Sequence, residues 1–225
     1  MNVSVVIPTL NEEKNLDILL KELKNLKLIN EIIIIDGYST DKTVQEAKKF
    51  GCKVIFDDIG KGSALRKGLD AARGDIIICM DADLSMLSNE IHLLVAGIKA
   101  GYDICMGSRF IQGGGSDDMS LIRKFGNKFF VFLVNLLWHM NYSDLCYGYR
   151  SLKKSTIKKL DLKSDGFGIE TEISIKAAKK GLKVLEVPSF EKARNFGKGK
   201  LKTFNDGWRI FKIIVTEFLK DDLHG

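Results

Sequence analysis

The sequence predicts an α/β fold with a doubly wound, mostly parallel sheet. Two observations carry that prediction. Short apolar runs alternate through the first half of the chain with segments of helical spacing, and such alternation implies strand–helix–strand units. The runs are also continuously apolar rather than apolar at every second residue, as strands covered on both faces are.

The first run, Val3–Ile7, is followed by Glu12–Leu26, whose Leu16, Leu19, Leu20 and Leu23 share one helix face. Glu31–Ile35 then precedes helical Lys42–Phe50, and Lys53–Phe56 precedes Ser63–Ala72. Asp75–Met80 precedes Asn89–Ala100, and Asp103–Gly107 closes the alternating half. Gln112–Ser116 contains three consecutive glycines and predicts a mobile loop. Leu121–His139 reads as one long helix, Asp144–Leu152 as a short strand or turn, Phe167–Lys180 as a helix and Lys183–Phe190 as a last strand. A basic loop, Lys192–Lys202, leads into an amphipathic helix over Thr203–Lys220.

Composition narrows the class. The 225 residues suit one domain. With 45% hydrophobic and 28% charged residues they exclude disorder and collagen-like repeats. The net charge of +6 has no aromatic-studded basic face behind it, so nucleic acid is not an expected partner. Cys52, Cys79, Cys105 and Cys146 form no Cys-x-x-Cys and fit neither a zinc site nor a disulfide framework, leaving buried free thiols. The N-terminus lacks the basic and cleavage-site features of a signal peptide. The longest strongly apolar run, Phe129–Trp138, has ten residues, where a membrane span needs about 20.

Ligands of doubly wound sheets bind beyond the carboxyl ends of the strands. Those ends carry Pro8-Thr9-Leu10-Asn11-Glu12, Asp36-Gly37-Tyr38-Ser39-Thr40-Asp41, Asp81-Ala82-Asp83 and Gly107-Ser108-Arg109. Asn11 and Asp41 are also well placed as helix caps. Asp81 and Asp83 repel each other and need a cation or strong donors. Mg²⁺ or Mn²⁺, held by one or two carboxylates plus substrate phosphates, satisfies that need. Arg109, Arg123 and Arg194 sit in or beside glycine-containing loops, and Arg123 shares a helix face with Asn127. Lys192, Arg194, Lys198, Lys200 and Lys202 make a basic flap suited to closing over an anion. Two phosphate motifs fail. Gly60-Lys61-Gly62-Ser63 lacks the upstream glycine of a Walker loop, and Gly113-Gly114-Gly115 follows no strand-to-helix turn.

Residues 5–13, 36–43, 61–68 and 74–85 together resemble the family-2 glycosyltransferases with the GT-A fold. The second half narrows the resemblance toward dolichol-phosphate mannose synthases and related polyprenyl-phosphate glycosyltransferases. Its carriers are Gly107-Ser108-Arg109-Phe110, Arg123, Asp144, Gly148-Tyr149-Arg150, Glu170-Thr171-Glu172, Glu186-Val187-Pro188 and the basic loop from Arg194 to Leu201. The sequence departs from the family pattern at Gly37 and Tyr38, at Ser85 and at Gly199.

The resemblance implies an inverting, metal-dependent transfer of a sugar, mannose or glucose, from GDP-mannose or UDP-glucose to a polyprenyl or dolichyl phosphate. It places Pro8, Asn11, Glu12, Asp36 and Lys61 on the nucleotide sugar, and Asp81 and Asp83 on the metal and diphosphate. Arg109, Arg123 and Arg194 gather phosphates, with Asn127, Arg150, Lys198 and Lys200 on the acceptor side. Residues 1–110 form the nucleotide-sugar half, 111–205 the acceptor half and 206–225 a C-terminal amphipathic helix.

A phosphate acceptor is already largely dianionic at neutral pH and needs cations more than a base. A hydroxyl acceptor would need a base from among Asp144, Glu170 and Glu172. A non-catalytic nucleotide-sugar binding module and a nucleotidyltransferase are alternatives that explain fewer of the motifs. The Leu121–His139 helix reads either as a core helix or as an interfacial one, and so does the last helix. The interfacial reading predicts a cytoplasmic protein, peripheral on the cytosolic membrane face or docked on a separate membrane subunit.

Overall fold

Every strand expected in the first half forms, with ends displaced by at most two residues. A computed structural model of the chain describes residues 1–197, 199 and 202–222. The strands are β1 (Val3–Thr9), β2 (Ile29–Asp36), β3 (Lys53–Phe56), β4 (Ile76–Cys79), β5 (Ile104–Ser108), β6 (Gly115–Ser116), β7 (Arg150–Lys153), β8 (Val184–Pro188) and β9 (Phe190–Glu191). The helices are α1 (Glu13–Asn25), α2 (Thr43–Lys49), α3 (Lys61–Ala71), α4 (Ile91–Lys99), α5 (Leu121–Trp138), α6 (Lys154–Leu160), α7 (Ile169–Lys179) and α8 (Thr203–Asp222).

Seven strands form one sheet in the order β3-β2-β1-β4-β7-β5-β8. Only β7 runs antiparallel to its neighbours, wedged between β4 and β5. Along β1 the alternation sorts side chains into two layers. Val5 and Ile7 join the core under α1 and α4, whereas Val6 joins the core under α3 together with Leu65 and Leu69. Pro8 is tolerated in this central strand because Val6 faces β4 through its carbonyl while Thr9 faces β2. The missing Pro8 amide therefore points toward β4, whose pairing with β1 ends at Val6.

One expectation needs correcting. The three-glycine segment is not a loose loop: Gly115 and Ser116 pair in parallel with Phe190 and Glu191. The glycines permit close approach, since a Cβ at Gly114 would lie 2.3 Å from the Ser108 carbonyl oxygen and one at Gly115 2.7 Å from Phe190.

A second close approach fixes the start of α3. The Gly62 and Ser63 amides both donate to the Asp165 carbonyl, at 2.8 and 3.2 Å. This helix N-terminus is therefore spoken for, in keeping with the failed Walker pattern. A Cβ at Gly62 would lie 2.3 Å from the Ser164 carbonyl oxygen. Backbone cannot yield as a side chain can, so Gly62→Ala is expected to cost about 1–3 kcal/mol. For a domain this size that is roughly 3–10 °C in thermal midpoint, readable by thermal unfolding.

Candidate active site

The strand ends open into a cavity of about 830 Å³. Pro8, Glu12, Lys61, Asp81, Asp83, Arg109, Arg123, Asn127 and Arg194 all lie on its wall. From there the cavity runs between α5 and α8, where Ile122, Phe129, Phe130, Phe204, Trp208 and Phe211 line it. One end is thus ionic and the other apolar.

At the ionic end, Asp81 and Asp83 follow β4 directly. Lys61 Nζ lies 2.7 Å from Asp81 Oδ1 and 3.0 Å from Glu170 Oε1, beneath the Phe167 ring. Burial works against the Lys61 charge, but Asp81 and Glu170 outweigh it and keep the ammonium protonated. Asp83 is 5% exposed. Its Oδ1 accepts from the Ser85 hydroxyl at 2.7 Å, and its Oδ2 pairs with Arg194 Nη1 at 3.0 Å. Burial, then the neighbouring Asp81 charge, pushes the Asp83 carboxyl above the usual carboxylate range. Two adjacent carboxylates on a cavity wall are an oxygen donor set suited to a hard divalent cation. Among the described residues no third His, Cys, Asp or Glu joins them, so substrate oxygens and water would have to complete the coordination.

Arg194 also reaches Asp118, with Nε 3.4 Å from Oδ2. A Cβ on Gly199 would lie 3.6 Å from Arg194 Cζ and 3.8 Å from Arg123 Nη2, so both guanidinium groups converge over this glycine. Lys198 and Lys200 lie outside the described residues. Arg109 is fixed differently. It donates from Nε and Nη2 to Asp144 at 2.7 and 2.9 Å and from Nη1 to Glu191 at 3.1 Å, with Tyr147 stacked 4.6 Å from its Cζ. Asn127 Oδ1 accepts from the Leu145 and Cys146 amides. That leaves its Nδ2, shielded from solvent, without a partner.

Three expected site residues do not face the cavity. Arg150 is 1% exposed and donates to the Glu170 and Tyr147 carbonyls. It lies on the central antiparallel strand, so its side chain ties α7 to the loop before β7 and cannot reach an acceptor phosphate. Asp36 is fully buried, its oxygens taken by Thr9 and Ser39. Asn11 adopts positive φ and accepts from the Thr40 amide, bracing two strand-end loops against each other. Asp41 caps, accepting from the Thr43 and Glu13 amides. The cysteines are free, and burial pushes the Cys146 thiol, on the cavity wall, up to about 12.

Asp118, Glu191 and Asp57 line the cavity without having been expected there, and Glu170, expected only as a base for a hydroxyl acceptor, lines it too. The strand-end rule applied to β3 finds Asp57. The others are ion-pair partners supplied by distant segments.

A family model described as Glycosyl transferase family 2 matches residues 4–161. The chain belongs to glycosyl transferase family 2. The chain is 37% identical over 212 residues to a dolichol-phosphate mannosyltransferase of Pyrococcus furiosus, covering 90% of the chain and 60% of that longer protein. It is 27% identical over 227 residues to a polyprenol monophosphomannose synthase of Mycolicibacterium smegmatis, covering 93% and 84%. The glucosyl-3-phosphoglycerate synthase of Mycobacterium tuberculosis, solved with Mn²⁺, UDP and glucosyl-3-phosphoglycerate, superimposes with a TM-score of 0.74 at 21% identity. That match covers 96% of this chain and 79% of the other, and establishes the GT-A fold.

Proposed function

We propose that this chain transfers a hexose, mannose or glucose, with inversion from GDP-mannose or UDP-glucose to a polyprenyl or dolichyl phosphate. The observation that carries the proposal is the continuity of one cavity from the paired aspartates to the apolar channel between α5 and α8. An amphiphilic acceptor has its phosphate at one end and its hydrocarbon at the other, and the cavity is divided the same way. Residues 1–110 would hold the donor, 111–205 the acceptor, and α8 would complete the apolar wall.

A divalent ion on Asp81 and Asp83, Mg²⁺ or Mn²⁺, would supply Lewis-acid stabilisation of the departing diphosphate. The chain supplies the rest. Lys61 and Arg194, which pair with Asp81 and Asp83, would place two further positive charges beside the donor diphosphate. Arg123 and Asn127, on the cavity wall, would serve the acceptor side, with Lys198 and Lys200 assigned there by motif. Fixed cations spanning two anionic groups orient attack and stabilise charge without reorganisation. Arg109 acts mainly by fixing the wall, since Asp144 and Glu191 hold its donors.

A hydroxyl acceptor is less well served. Asp144 binds Arg109, Glu170 binds Lys61, and Glu172 accepts from the Lys163 and Ser164 amides while pairing with Lys176. All three candidate bases are buried and committed. Incubation with Mn²⁺, a panel of nucleotide sugars and dolichyl phosphate should yield a glycolipid. None from any donor, beside a working control enzyme, would overturn the proposal.

The membrane contact follows from the same helices. No helix among the described residues is long and apolar enough to cross a membrane. On α5 only Asn127, Phe130 and Val134 are buried, while Leu121, Ile122, Phe125, Phe129, Phe132 and Leu136 are exposed. On α8, Phe204, Trp208, Val215 and Leu219 are exposed as well. Exposed Lys124, Lys128 and Lys212 flank this surface, as in helices that lie in the interface of an anionic leaflet. The double change Phe125→Asp and Phe132→Asp should abolish co-sedimentation with anionic vesicles and spare nucleotide binding. Each phenylalanine withdrawn from water contributes about 2 kcal/mol, so partitioning should fall on the order of a hundredfold or more.

A further inference from the structure

Arg150 carries a charge that no carboxylate meets directly. It is 1% exposed, and its Nη1 and Nη2 donate to the Glu170 and Tyr147 carbonyls at 2.9 and 2.7 Å. Its Nε is shielded from solvent and has no hydrogen-bond partner. Among the described residues it forms no ion pair. A guanidinium stays protonated in a protein, so this is a full positive charge within the fold. Holding one there is costly unless a nearby negative charge offsets it.

The Lys61 cluster has the opposite imbalance. One ammonium stands between two carboxylates, Asp81 at 2.7 Å and Glu170 at 3.0 Å, and the Glu170 side chain is 4% exposed. Arg150 is tied to the backbone of this cluster. It binds the main chain of Glu170 itself and that of Tyr147. The residue after Tyr147 abuts the ion pair: a Cβ on Gly148 would lie 3.3 Å from both Glu170 Oε1 and Lys61 Nζ. The other buried acids of this region have donors of their own. Asp144 binds Arg109, and Glu172 accepts the Lys163 and Ser164 amides and pairs with Lys176. Glu186 accepts from the Ser143 and Asp144 amides and the Ser143 hydroxyl. Both charges in question act at one point of the wall. Burial and then Asp144 push the Cys146 thiol up, Glu170 adds to that push, and Arg109 and Arg150 oppose it.

We propose that Arg150 is the buried counter-charge of Glu170 and, through it, positions Lys61 on the cavity wall. Two cations then balance two carboxylates, with Arg150 behind the wall and the Lys61 ammonium on it. Without Arg150, Lys61 alone would have to neutralise Asp81 and Glu170 and would offer little charge to an anion beside it. Arg150 is thus a positioning residue that touches no ligand and acts through Glu170.

Thermal unfolding of Arg150→Gln, Glu170→Gln and the double variant tests the pairing. Each single change leaves one buried charge unbalanced, and Arg150→Gln should lower the midpoint by about 10 °C. Removing both charges should raise the midpoint about 3 °C or more above that of Arg150→Gln, the signature of coupled sites. Arg150→Gln with Glu186→Gln should show no such recovery. Affinity of the full chain for Mn²⁺-pyrophosphate, by titration calorimetry, should fall about tenfold in Arg150→Gln and return to within about threefold of wild type in the Arg150→Gln/Glu170→Gln protein. A residue that merely braced two carbonyls would gain nothing from the loss of a neighbouring carboxylate. A double variant no more stable than Arg150→Gln, whether or not either folds, would overturn the inference, as would recovery through Glu186→Gln in place of Glu170→Gln. The affinity, unlike the midpoints, rests on the nucleotide-sugar reading of the cavity. Failure of pyrophosphate to bind the wild-type chain would therefore overturn that reading, while the midpoints still decide on Arg150.

Discussion

Asp81→Asn is expected to lower glycosyl transfer by about two to three orders of magnitude and to change stability little. The Asp81 side chain is 29% exposed and holds its place through Lys61, which keeps Glu170 as a second partner. Loss of the carboxylate therefore strands no buried charge. It does remove one of the two oxygen donors proposed to hold the metal against the leaving diphosphate. Deleting one preorganised group that stabilises developing negative charge typically costs about 10²- to 10³-fold in rate. The Mn²⁺ concentration for half-maximal activity should rise in the same variant. Full activity with an unchanged Mn²⁺ requirement would remove Asp81 from the metal site.

Asp144→Ala should do the opposite, unfolding the protein before it informs on chemistry. Asp144 has no exposed side-chain surface and binds Arg109 through both oxygens. Its removal leaves a 9% exposed guanidinium with Glu191 alone. Burial works against the Arg109 charge, and Asp144 is the first of the groups that hold it charged. Breaking a buried pair from one side costs about 3–5 kcal/mol. At roughly 2–4 °C per kcal/mol for a chain of this size, the midpoint should fall by about 10 °C. If Asp144 were a general base for a hydroxyl acceptor, the milder Asp144→Asn would abolish transfer with the midpoint intact.

The contrast between these residues shows what local sequence can reveal. The strands of the first half were legible because each is a continuous apolar run buried on both faces, a property of the run itself. The position of β7 was not, because its antiparallel place between β4 and β5 depends on pairing across more than forty residues in sequence. The glycines at 113–115 resemble a flexible loop until Ser108, Pro188 and Phe190 are brought against them.

On the cavity wall, the strand-end rule anticipated Asp81, Asp83 and Arg109, since their chemistry and position lie together in sequence. It could not tell which charges are already answered. Arg109 meets Asp144 and Glu191, and Lys61 meets Glu170, through tertiary contacts alone. Arg150 has the residue type of a phosphate ligand but lies behind the wall, where two backbone carbonyls claim it.

The most direct measurement compares acceptors that differ only in their head group. With Mn²⁺ and the preferred nucleotide sugar, labelled sugar should appear on dolichyl phosphate and not on dolichol, vanish with EDTA and return with added Mn²⁺. Equal transfer to dolichol, or transfer to dolichyl phosphate that survives complete chelation, would contradict the account.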